Sequence, residues 1–260
     1  MNQPIPLKLD SPGQGSPVEL GVPRQICRLS QVAAVLIVAV TLPQAMGVVA
    51  SWQAYGRLDT LHVGPLQTRF VSSADGLALV ATLSVVLMVA ATVSLLMWVW
   101  RARCNAELIA PSHHFRFSRG FAVGAWLVPI ANIWWSRAVL DEIWSASRPS
   151  SGDETDRRGP LILGWWLCVL AYTVLRVVSP FAYDRVTIIR HDPTGGVQGL
   201  DEARQAFLTV SLLNSLSLAL MVLGTLLLAA AILRISRWQT DLTSDRQNGS
   251  QIEIPSSKSV

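Results

Sequence analysis

Four apolar stretches, residues 32–50, 77–99, 161–181 and 207–233, constrain this 260-residue chain more than any other feature. Three of them hold no charged side chain, and the third in order holds one, Arg176. A helix rises ~1.5 Å per residue, so each stretch is long enough for the ~30 Å hydrocarbon core of a bilayer. Only 15% of the residues are charged, well short of the ~25% usual in soluble domains. The expected class is therefore an all-α membrane protein with four transmembrane helices. The net charge of +4 comes from arginines beside the apolar stretches. Basic residues there orient a chain in the membrane, so no nucleic-acid partner is expected.

Residues 1–28 carry Pro4, Pro6, Pro12, Gly13, Gly15, Pro17 and Pro23 and few large apolar side chains. Such a segment buries too little surface to fold and reads as a disordered tail. The membrane domain is expected over 29–238, and residues 239–260 read as a second disordered tail. Pro43 lies inside the first stretch, where a kink is expected rather than a break. That stretch also follows Arg24 and Arg28, as a signal peptide would, but it exceeds a usual signal core. Residues 52–75 and 182–205 read as polar loops on one side, and residues 150–159 as a charged loop on the other. Asp201 and Glu202 suit the start of the last helix. Ser211, Ser215 and Ala219, four residues apart, offer a close-packing face.

Between the second and third spans lies the most unusual part of the chain. Residues 121–135 are apolar but too few for an easy crossing, and Pro129 and Asn132 interrupt them. Further on, Val139, Leu140, Ile143 and Trp144 share one helical face, opposite Arg137, Asp141, Glu142, Ser145 and Arg148. The pattern predicts a re-entrant or shallow segment over 119–136 and an interfacial amphipathic helix over 137–147. With four spans, fifteen Lys and Arg fall on the side of both termini and five on the other. A fifth span at 121–135, the alternative, divides them ten and ten. The asymmetry favours four spans with both termini cytoplasmic, in the cell membrane.

Two motifs in this region resemble the domain of unknown function 4328 family. Trp98 to Glu107, with Trp100, Arg101, Arg103 and Asn105, is similar to its W-x-Y-R-A-R-x-N-A element; Trp100 stands where the family has Tyr. Arg119 to Trp144, with Trp126, Pro129, Asn132, Trp134, Glu142 and Trp144, resembles its V-P-I-A-N-x-W element and the E-I-W helix that follows. The resemblance covers roughly residues 75–235. It departs from the family at Phe121, often Trp, and at Trp135-Ser136, often Arg-Pro. It implies an actinobacterial multi-pass membrane protein and no activity.

Candidate polar or ligand-binding residues are Asn132, Pro129, Arg176 and Asn214. Asn132 can hold an ion or polar ligand through carbonyls freed by Pro129, or it can bond within its own turn. Arg176 within a span marks a functional site or snorkels to the outer interface; Asp75 is its candidate partner. His113, His114 and Glu107 lack further ligands at a metal-binding spacing, so no metal or cofactor is expected. Cys27, Cys104 and Cys168 form no CxxC pair and suggest no disulfide. Asp141 and Glu142 diverge by ~100° on a helix and read as its solvated side rather than an acid–base pair. No nucleophile elbow, phosphate loop or zinc-protease motif is present. The expected function is a non-enzymatic membrane scaffold or signalling partner. Its partners would be the lipid bilayer, a protein on the cytoplasmic face and a second copy. A small transporter or channel using Asn132, Arg176 and Asn214, or an intramembrane enzyme, are the alternatives.

Overall fold

The computed structural model describes residues 26–58, 74–149, 159–191 and 196–252, and these are helical apart from short links. The helices are α1 (Cys27–Ala39), α2 (Thr41–Leu58), α3 (Ala74–Ile109), α4 (Arg119–Gly124), α5 (Pro129–Ser147), α6 (Pro160–His191) and α7 (Gly196–Ile252). Four regions are long and apolar enough to cross a membrane: Cys27–Gly56, Leu79–Ile109, Pro160–Val177 and Arg204–Asp245. They match the four expected spans.

The first span consists of α1 and α2, interrupted at Val40. Pro43 explains the interruption. It has no N–H to offer Ala39, four residues back, so the ladder of hydrogen bonds lapses there. Val40 closes α1 instead, its N–H bonding to the Leu36 carbonyl at 3.2 Å. Thr41 Oγ1 donates back to the Val38 carbonyl.

The central part of α3 exposes Leu83, Val85, Val86, Val89 and Val93. In hydrocarbon such exposure costs nothing, because the surrounding chains are as apolar as the side chains. The packed core gathers at one end of the bundle. There Trp98 and Val99 of α3, Leu140, Ile143 and Trp144 of α5, Ile162 of α6 and Ile232 and Ile235 of α7 are buried together. Ala33 and Ile37 of α1 join them.

Helices α6 and α7 run antiparallel and approach closely at two glycines. A Cβ on Gly164 would lie 3.0 Å from Leu227 Cδ1, and one on Gly224 would lie 3.1 Å from the Cβ of Cys168. The expected small-residue face is only partly used. Ser211 is buried and Ser215 Oγ accepts from Trp52 Nε1 at 2.9 Å, which places them against α2, whereas Ala219 is exposed.

Several boundaries differ from the sequence reading. Helix α6 runs on to His191 and α7 begins at Gly196, so the expected loop at 182–205 shrinks to residues 192–195, which lie outside the described residues with Pro193 and Gly195. Asp201 and Glu202 sit inside α7, not at its start. At the other end α7 passes residue 239 and continues to Ile252. Continuing a helix satisfies backbone groups on both sides of the membrane surface, a demand that a fall in hydropathy does not register. Helix α1 starts at Cys27 with Ile26 buried before it, while the rest of the expected N-terminal tail, residues 1–25, lies outside the described residues. Residues 59–73 and 150–158 of the other two expected loops do so as well.

The re-entrant and interfacial segments are not divided at residue 136. The chain turns after α4, Val128 takes an extended conformation (ψ 114°), and Pro129 opens one helix that continues to Ser147. Proline disfavours helical geometry at the residue before it and fits the first helical position, so the break falls at Val128.

Candidate functional site

The family-like motifs meet where the ends of α3, α5 and α7 pack together. Trp98 and Arg103 are five residues apart and turn inward from α3; Asn105 and Ala102 are buried beside them. Trp98 Nε1 donates to Ser236 Oγ of α7 at 2.9 Å. Gln239 Nε2, one turn further along α7, donates to the Ala102 carbonyl at 2.9 Å and to Ser147 Oγ of α5 at 2.8 Å. Three helices are thereby joined through one buried amide. Cys27 at the start of α1 and Thr240 of α7 are also in contact, at 3.1 Å.

Arg103 organises the adjoining half of the site. Its side chain is 2% exposed. Nη2 donates to the Phe117 carbonyl at 2.6 Å, Nη1 lies 3.3 Å from Glu107 Oε1, and the guanidinium stacks 3.5 Å from the centre of the Phe115 ring. The other oxygen of Glu107 takes Arg119, with Nε at 2.6 Å and Nη2 at 2.5 Å. Glu107 thus bridges the end of α3 to the start of α4, and its bond holds the Arg119 guanidinium more firmly protonated than usual. Ser118 caps α4, its Oγ accepting from the Phe121 N–H. Glu142 of α5 accepts from the Arg116 N–H at 3.0 Å and so fixes the link before α4.

Aromatic contacts set the position of α5. Trp126 stacks on Trp165 and Trp134 tilts against Trp166, while Trp166 Nε1 donates to the Ile133 carbonyl. At the far end of α5, Trp144 meets Trp238 edge-on, with Arg234 over both rings. Gly159, beside Asp141, precedes α6. Ile133 lies beside Trp166 and Asp141 beside Gly159, so these contacts of α5 span about 10 Å of the α6 axis. Helix α5 thus runs antiparallel to the first part of α6, at one end of the bundle.

Burial pushes the Asp141 carboxyl up to about 6, against the pull of Arg137, whose Nε lies 3.5 Å away. Asp141 and Glu142 do not act on a common point, since Glu142 binds the Arg116 backbone and Asp141 pairs with Arg137.

The remaining candidates are dispersed. The Asn132 N–H bonds to the Val128 carbonyl at 2.8 Å and its own carbonyl accepts from Ser136 Oγ, so its backbone closes the first turn of α5. The side chain of Pro129 lies outside the described residues. Arg176 is exposed on α6, ten residues beyond Trp166, and Asn214 is half-buried on α7. Asn132 is thus separated along the bundle from Arg176. The side chain of Asp75, the expected partner of Arg176, lies outside the described residues. Among the described residues no group of three or more His, Cys, Asp or Glu could hold a metal ion. Of the motif residues, Arg103, Asn105 and Trp144 are buried, Trp126 and Glu142 are half-buried, and Trp100 and Trp134 face outward.

Sequence reasoning passed over Ser147, Ser236 and Gln239. The last lay in the presumed tail. A signal was present: Ile232, Ile235, Ser236 and Gln239 continue the inward spacing of three and four residues past the end of the apolar run.

A family model described as "Domain of unknown function (DUF4328)" matches residues 64–237. No curated protein and no solved structure matches the chain.

Proposed function

We propose that this chain, which belongs to the domain of unknown function 4328 family, is a non-enzymatic scaffold or signalling partner of the cell membrane. Both of its termini are cytoplasmic in this reading. The observation that carries it is the use made of the buried and half-buried polar side chains. Gln239, Trp98, Arg103 and Glu107 bind other helices or the links between them. Groups committed in this way hold a surface rigid, and a rigid surface favours recognition by lowering the entropy lost on binding. The polar face of α5 supplies that surface for a protein partner. The excess of arginines beside α4 and α5 supports a cytoplasmic placement.

The test is crosslinking in native membranes from a photoreactive residue placed at Ser145, which is exposed on α5. A single protein partner recovered there, and lost when Gln239→Leu loosens the junction, is the expected result. Solute flux through liposomes containing the purified chain, abolished by Asn132→Ala, would replace this reading with the transporter one.

A further inference from the structure

Trp100 and Arg101 belong to the first motif but stand outside the Gln239 junction and the Arg103–Glu107 cluster. They line an open groove of about 440 Å³ between α3 and α4, together with Leu96, Met97, Gly120 and Val123. Residues four apart on a helix lie one above the other. Trp100 therefore stands over Leu96, and Arg101 over Met97. The order is apolar, then indole and guanidinium, at the level where α3 passes from an uncharged stretch to its first arginine. Met97 also borders a second groove of about 620 Å³ between α1 and α3, apolar apart from Ser94, which continues past Val93, Val89 and Val85. Gly120 leaves the first groove open, because a Cβ added there would meet nothing within 4 Å.

We propose that the α3–α4 groove binds an anionic membrane phospholipid. Its phosphate sits at Arg101 and Trp100, and one acyl chain lies on Leu96 and Met97 and continues into the α1–α3 groove. Charge selects the headgroup, since residues 101–149 hold six arginines against three carboxylates. Indole combines an apolar body with a polar N–H and suits the headgroup level. This site is independent of the protein partner proposed above.

The full chain would be placed in nanodiscs with phosphatidylglycerol or phosphatidylcholine carrying a photoactivatable acyl chain, and the adducts mapped by mass spectrometry. The glycerol lipid should label Leu96, Met97 and the α3 residues Val85–Val93 roughly fivefold more than the choline lipid, since one arginine near a membrane surface contributes ~1 kcal/mol toward an anionic lipid. Arg101→Gln should abolish that preference and Arg101→Lys should keep it. Gly120→Leu should fill the groove and reduce labelling by both lipids, with the melting temperature unchanged. Equal labelling by the two lipids, or labelling indifferent to Gly120→Leu, would overturn the proposal.

Discussion

Two arginines that share one carboxylate should differ widely in importance. Arg103 is buried and Arg119 is 55% exposed, yet both bind Glu107. Removing a buried charge leaves its partners without compensation, which costs ~3–5 kcal/mol, whereas an exposed pair contributes ~0–1 kcal/mol. Arg103→Met should therefore lower the denaturation midpoint in detergent sharply, and Arg119→Gln should barely move it. Equal losses would place the weight of the cluster on Glu107 and the α4 start. A second prediction concerns Asp141. Its folded value of about 6 exceeds the ordinary 3.8. The folded chain thus binds this proton more tightly than the unfolded chain does. The resulting stabilisation is complete below the unfolded value and is lost as pH rises through about 6. Asp141→Asn should remove this component, flattening the melting temperature between pH ~4 and ~7. A variant with the same slope as the parent would show that other groups set it.

Helix boundaries follow from backbone chemistry that is local and readable in part. The break at Val128 was legible, because Pro129 restricts the residue before it and suits a first helical position. The continuity of α5 was not, since it depends on Trp126, Trp134 and Trp144 finding Trp165, Trp166 and Trp238, pairs distant in sequence. The same limit hid Gln239, whose partners Ala102 and Ser147 lie far back along the chain. At the start of α6, Gly159 has φ +49° and accepts from the Ile162 and Leu163 N–H groups. A side chain costs ~1–2 kcal/mol in the left-handed region, and here a Cβ would also press within 3.2 Å of Ile162 Cδ1. Gly159→Ala should destabilise the protein by about that amount, while Gly120→Ala, in open space within α4, should be neutral or slightly stabilising. Comparable losses for both would mean that the left-handed turn is not what Gly159 provides.

The four spans were legible at the level of the whole molecule because the lipid requirement is collective: about twenty residues must be apolar together, whatever they touch. Counting arginines gives the expectation that α4–α5 does not cross, and its geometry supplies a separate argument. Asp141 of α5 lies beside Gly159 and Ile133 beside Trp166, both within the first part of α6. A crossing segment would need to follow α6 for ~30 Å, toward the level of Arg176 and beyond. If α4–α5 returns without crossing, the link before α4 and the polar face of α5 share one side of the membrane. Single cysteines at Ser112 and Ser145 suit a test, since both positions are exposed, whereas Ser136 and Ser147 are buried and would not react. With Cys27, Cys104 and Cys168 replaced by alanine, both should label with an impermeant maleimide from the side on which a C-terminal reporter is active. If position 145 labelled from that side and position 112 only from the other, α4–α5 would have to cross. The chain would then have five spans, and α6 and α7 would be inverted relative to α3.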